Sequence, residues 1–242
     1  FLFFNMKVII PIPKPDESIK ANLIRLNIFL KELGWLKESL DNRINEVVKE
    51  QQDIFVNTSK PDFFYNNLSG ELTDMKINLF VKSFFFIAKQ SIDKIFRIIY
   101  QIRDEIKIDN GEYNLPDVSN SGRLKKFIEN LIEGKYDHYN SELIFLLKEK
   151  RDLFIVSRCI RNQLKYFGNF LVFNVNNKID IIIQLGENYF HKEPIIKYLS
   201  NAEDIDYSHL SNFTLNNNSL NQTINDIASF YNLLTKIITD LN

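Results

Sequence analysis

The sequence predicts a mainly α protein, an antiparallel helical bundle, and three observations carry that reading. Apolar residues recur at three- and four-residue steps over long stretches, most clearly from Leu72 to Lys107. Gly and Pro number only 7 and 6 in 242 residues, so little punctuates those stretches. Apolar residues make up 45% and charged residues 25% of the chain, ordinary globular usage with enough apolar surface for a sizeable core. No repeat period, linker or composition shift divides the chain, so residues 1–242 are expected to form one domain.

Taken in order, Phe1–Phe4 and Val8–Ile10 are apolar but short, and neither a basic lead nor a small-residue cleavage site accompanies them, which argues against a signal peptide. Met6–Ile12 reads as an edge strand or extended arm that Pro11, Pro13 and Pro15 stop. Asp16 and Glu17 mark the start of the first helix, followed by Ile19, Leu23, Leu26, Leu30 and Leu33. Gly34 is expected to break or bend it before Trp35, Leu36, Leu40, Ile44, Val47 and Val48 resume the pattern. Residues 1–57 thus read as an arm and a helical hairpin extending the fold, and 57–70 as a connection.

Leu72–Lys107 is the longest pattern and the expected central core helix. Phe80, Phe84, Ile87, Ile92, Ile95, Phe96, Ile99, Ile102 and Ile106 form its stripe, and Val81, Phe85, Phe86 and Ile98 widen it towards burial on more than one side. Lys82, Lys89, Asp93, Lys94 and Arg97 interrupt it too often for a membrane span, and no membrane partner is expected. A polar loop, Asp109–Gly122, leads to a short helix, Arg123–Glu133, closed by Gly134. In the next loop, His138 reads as a solvated histidine with no second acid or base close by in sequence. Ser141 is a plausible N-cap for a helix running to Phe167 and ended by Gly168. The β-rich runs on either side of Asn176-Asn177 read as a hairpin over about 170–185. After a polar loop, Ser200–Asn218, a last helix spans Ser219 to Leu241.

The chemistry open to this chain is narrow. Thirty basic against 31 acidic side chains leave a net charge of -1, so any site for nucleic acid or another polyanion must be a local patch. One cysteine, Cys159, and three histidines allow no internal disulfide and too few ligands for a Cys/His zinc site. This cysteine usage suits a reducing, cytoplasmic compartment, and no metal or cofactor is expected. Walker-type, Gly-x-Ser-x-Gly and His-Glu-x-x-His runs are absent from the sequence. What stands out is the stretch Ser141–Phe167. Arg158, Asn162 and Tyr166 fall at i, i+4 and i+8, with Arg161 and Lys165 alongside, roughly opposite Leu146, Leu153, Val156, Ile160, Leu164 and Phe167.

Long amphipathic helices of which the last closes on Arg161-Asn162-x-x-x-Tyr166 resemble the HEPN superfamily of small helical domains, over roughly Leu72–Phe167. In that family an Arg-polar-x-x-x-His motif lies near the end of a core helix, paired subunits bring two motifs together, and active members cleave RNA without metal. The resemblance implies a HEPN-like core over 72–167, a homodimer through the 141–167 face, and RNA or a nucleotide as ligand. It also implies a defence or toxin–antitoxin setting, in which a partner protein takes part. Arg161 would hold the phosphate by paired hydrogen bonds and Asn162 would orient it, with Arg158 and Lys165 as further ligand-binding cations. Tyr166 stands where the family has histidine. A phenol with an ordinary pKa of about 10 is a poor proton shuttle at pH 7, which argues against efficient cleavage.

Two plainer readings stand beside this one. Arg158, Arg161 and Lys165 also fit the solvated face of an amphipathic helix, with Tyr166 half-buried. In the alternative function, the chain is a non-catalytic interaction or scaffold protein on a helical bundle.

Overall fold

The fold is seen in a computed structural model, which describes residues 18–58, 74–118, 123–154, 157, 171–175, 178–184, 212–215 and 217–241. It is mainly helical. Helix α1 is Ser18–Thr58, α2 Met75–Gln101, α3 Leu124–Ile132, α4 Ser141–Glu149 and α5 Asn217–Asp240.

The first two helices pack antiparallel, and α5 packs against both. Two polar clamps fix their register. Near one end, Asn22 Nδ2 donates to Gln101 Oε1 at 3.0 Å and Lys94 Nζ donates to Asn22 Oδ1 at 3.3 Å. Towards the other, Arg43 donates to Asp74 through Nε at 2.8 Å. Asn22 and Arg43 are 21 residues apart on α1, and Asp74 and Lys94 are 20 apart on α2, about 30 Å on each at a rise of 1.5 Å per residue. The helices therefore run alongside one another over that length without slipping register.

Helix α1 is part of the core, not an extension of it: Leu26, Leu33, Leu36 and Leu40 are buried against the same cluster as α2 and α5. Nor do residues 18–58 fold back as the expected hairpin. The helix passes through Gly34 unbroken. A mid-helix glycine costs only about 1 kcal/mol relative to alanine, whereas each buried leucine contributes about 1.5–3 kcal/mol, so Leu33, Leu36 and Leu40 outweigh it. The strand or arm expected over Met6–Ile12 lies outside the described residues.

Helix α2 begins at an Asp74 cap whose Oδ1 accepts from the backbone N–H of Lys76 and Ile77, both at 3.0 Å. It buries eleven residues between Ile77 and Ile99. Phe86 is a correction, being 48% exposed where burial was expected. Three consecutive phenylalanines at 100° steps sweep 200° of a helix, so with Phe84 and Phe85 inside, Phe86 must leave the core. On α1, Trp35 likewise faces outward, 61% exposed, with its ring edge-on to Phe80 at 6.2 Å.

The regular helix stops at Gln101, short of the expected Lys107. Ile102 caps it, and Ile102 and Ile106 stay buried through a run of turns. Lys107 then forms an antiparallel bridge with Tyr139. The cap of α4 is Asn140, not Ser141: its side chain accepts from Leu143 N at 3.0 Å. Gly134, at φ 75°, reverses the chain after α3 in a conformation that a side chain would strain.

Leu171–Val175 and Lys178–Gln184 pair antiparallel, from Leu171 opposite Ile182 to Val175 opposite Lys178, and Asn212–Leu215 pairs with the other edge of Lys178–Gln184. That last strand falls inside the stretch read as a polar loop. Helix α5 starts two residues before the expected Ser219 cap and buries Leu220, Ile227, Phe230, Leu234 and Ile237.

Candidate functional site

The stretch expected to carry chemistry starts from a well-fixed base. An aromatic chain runs through the core: Phe230 of α5 meets Phe154 at 5.5 Å, Phe154 meets Phe96 of α2 at 4.8 Å, and Phe96 meets Phe127 of α3 at 5.4 Å. Phe127 stacks on Tyr136 at 5.6 Å. Phe154 is thus wedged between α2 and α5, and aromatic pairs of this kind contribute about 0.5–1.5 kcal/mol each beyond burial. On the polar side, Lys150 pairs with Asp226 of α5 at 3.1 Å, and Lys236 of α5 reaches Glu142 at 2.9 Å.

The single helix expected from Ser141 to Phe167 is interrupted. Helix α4 ends at Glu149, Lys150 caps it, and residues 151–154 are helical again. Leu153 and Phe154 turn into the core there, as does Ser157, which is also buried. Arg158, Arg161, Asn162, Lys165 and Tyr166 lie outside the described residues, as do Cys159, His191 and His209.

His138 differs from the solvated residue that the sequence suggests. Its ring is half-buried, tilted against Tyr139 at 4.6 Å, and its Nε2 is 2.8 Å from the carbonyl oxygen of Tyr113. A carbonyl can only accept, so Nε2 carries the proton. The imidazole lies over Gly111, where an added Cβ would stand 2.2 Å from the ring. The backbone of Ile108 donates to His138 O at 2.9 Å, and Asn140 N donates to Ile106 O at 3.0 Å. His138 is therefore a spacer between two loops, held by backbone on both sides. Beneath it, the buried Tyr139 hydroxyl accepts from Leu115 N at 3.2 Å, and the buried Tyr136 hydroxyl accepts from Asn130 at 3.2 Å. Burial pushes the Tyr136 phenol above its ordinary range, against the Asn130 hydrogen bond, so it stays neutral.

A second polar locus went unread in the sequence because its members lie some 70 residues apart. Lys94 of α2 donates to Asn22 of α1, and Arg25 and Arg97, one turn along from Asn22 and Lys94 respectively, lie close enough to act on the Lys94 charge. Burial pushes the Lys94 ammonium below its ordinary range, the Arg25 and Arg97 charges push the same way, and only Asp93 opposes. Asp93 is itself bound to Lys89, and Arg97 reaches Asp117 at 3.1 Å. Periodicity marks Arg25, Lys94 and Arg97 as polar-face residues, but their meeting is set by the α1–α2 register.

Among the described residues no group of three or more His, Cys, Asp and Glu could hold a metal ion. No helix among them is long and apolar enough to cross a membrane. No family model, curated protein or solved structure matches the chain.

Proposed function

We propose that the chain is a cytoplasmic, HEPN-like protein that associates with RNA or a nucleotide through the run Arg161-Asn162-x-x-x-Tyr166, and pairs with a second copy through the same face. The observation that carries this is the run itself, at the end of the long amphipathic stretch that begins at Ser141. The mainly helical bundle is consistent with it, and the hairpin over 170–185 is read as an addition to that bundle. Arg161 grips a phosphate with paired donors, Arg158 and Lys165 add charge, and Asn162 orients the group. Tyr166 donates a hydrogen bond at the position where the family shuttles a proton, so binding outlives cleavage in this reading. By analogy with the family the setting is defence or toxin–antitoxin biology, with a partner protein.

The test is incubation of the pure protein with a mixed RNA pool in EDTA, beside Arg161→Ala and Tyr166→Phe. The reading expects little or no cleavage by the unaltered chain; any cleavage it does show must be lost in Arg161→Ala. Cleavage that survives Arg161→Ala would remove the run from the chemistry. The second reading, a non-catalytic interaction or scaffold protein, is favoured by the tyrosine in the histidine position, and it expects neither cleavage nor RNA binding.

A further inference from the structure

Lys94 of α2 bonds Asn22 of α1 across the seam at 3.3 Å, and Arg25 and Arg97 each lie one turn along from one member of that pair, in a chain whose net charge is only -1. Helix α2 as a whole carries five basic residues and one acidic residue. Arg25 is half-buried and has no hydrogen-bond or ion-pair partner among the described residues. Lys94 is half-buried too, and its one bond among the described residues is to the neutral amide oxygen of Asn22 at 3.3 Å. Arg97 uses one guanidinium nitrogen on Asp117 and keeps its side chain about half exposed. The carboxylate nearest in sequence, Asp93, is tied to Lys89 one turn along the helix.

Like charges gathered at a partly desolvated seam repel, and the cheapest relief is a bound anion that accepts from several donors at once. We propose that the Arg25–Lys94–Arg97 seam is a binding site for a phosphate group. Arg25 supplies the planar fork that matches two phosphate oxygens, and Lys94 supplies a point charge with two unused N–H donors. Arg97 closes the outer side with its remaining N–H groups. Asn22 faces the other way chemically: its Nδ2 is spent on Gln101 at 3.0 Å and its oxygen on Lys94, so it positions the lysine and leaves the anion to the cations. A phosphate with three or four acceptor oxygens satisfies this donor set better than a carboxylate with two. The phosphate can come from RNA, from a soluble phosphate compound or from a lipid headgroup. The site does not involve Arg161 and stands whether or not that reading holds.

The test is thermal unfolding of the full chain with inorganic pyrophosphate, against sodium chloride at matched ionic strength. A saturable rise of about 5–10 °C is expected at 100 times the dissociation constant. All variants are made in an Arg161→Ala background, so that the Arg161 run contributes no binding: the rise should be lost in Arg25→Gln and in Lys94→Gln, reduced in Arg25→Lys, and kept in Lys31→Gln. Because Arg25 holds no partner among the described residues, Arg25→Gln should leave the unliganded melting temperature within about 2 °C of the unaltered chain. Three arms then identify the source. Displacement of pyrophosphate by a 12-nucleotide single-stranded RNA points to nucleic acid, and displacement by phosphatidylcholine vesicles containing phosphatidylserine points to a headgroup. Displacement by neither leaves a soluble phosphate compound. No rise beyond that in chloride, or a rise that persists in both Arg25→Gln and Lys94→Gln, overturns the proposal.

Discussion

Arg43 of α1 and Asp74 at the start of α2 are joined through two guanidinium nitrogens, Nε at 2.8 Å and Nη2 at 2.5 Å, while the other oxygen of the same carboxylate caps α2. One side chain thus begins a helix and ties it to its antiparallel neighbour. Asp74→Ala removes both roles and leaves a largely buried guanidinium with, among the described residues, only Glu46 and Glu50, so it should destabilise the fold by about 1–3 kcal/mol. Asp74→Asn keeps a capping acceptor and should cost less. Urea unfolding of the two variants checks the order; equal losses would mean that the tie to Arg43 alone matters.

The same pair sets an acid limb. The Arg43 hydrogen bond, opposed by burial, holds the Asp74 carboxyl below the usual carboxylate range. A depressed folded pKa contributes stability that is present above the unfolded value of about 3.9 and is lost as pH falls through the folded value. The stability gap between the unaltered chain and Asp74→Asn should therefore be constant near neutrality and shrink below about pH 4. Unfolding free energies measured from pH 3 to 7 give the comparison, and a gap that does not change below pH 4 would exclude the linkage.

Gly34 lies within α1 with nothing inside 4 Å of where a Cβ would stand. Gly34→Ala should add up to about 1 kcal/mol of stability, since it removes backbone freedom from the unfolded chain without meeting a neighbour. A lower melting temperature in this variant would mean that the helix bends at Gly34.

Gly111 is the opposite case. A Cβ there would meet the His138 ring at 2.2 Å, so Gly111→Ala must displace the imidazole from Tyr113 O and from the Tyr139 face. A loss of about 1–3 kcal/mol is expected. His138→Ala combined with Gly111→Ala should recover part of it, because the obstructing ring is gone. Denaturant unfolding of the single and double variants reads the coupling.

Helical periodicity made the sheath of the fold legible from the sequence: the stripes of α2 and α5 were visible as three- and four-residue steps, and so was the turn at Gly134. The course of α1 was not, because a mid-helix glycine reads as a break when the leucines flanking it are not yet known to share one buried cluster. Phe86 and Trp35 looked like core because composition cannot say which of several adjacent aromatics faces inward; only the helical sweep relative to a packed neighbour decides that. The cap of α4 fell one residue before the expected Ser141, because the adjacent Asn140 can equally accept from a helix N terminus. The seam of Arg25, Lys94 and Arg97 was beyond reach, since it depends on the register that Asn22 and Arg43 impose across the two helices. The Arg161 run was found by motif alone, and its chemistry rests on residue types.

Equilibrium binding of RNA reads directly whether Arg161 meets phosphate. A fluorescent single-stranded RNA of about 12 nucleotides is titrated with the full chain at several salt concentrations, beside Arg161→Ala and Tyr166→Phe. Saturable binding is expected, weakened at least 10-fold in Arg161→Ala with a salt slope smaller by about one, and near-normal in Tyr166→Phe. Absence of binding by the folded protein, or equal affinity and slope in Arg161→Ala, would contradict it.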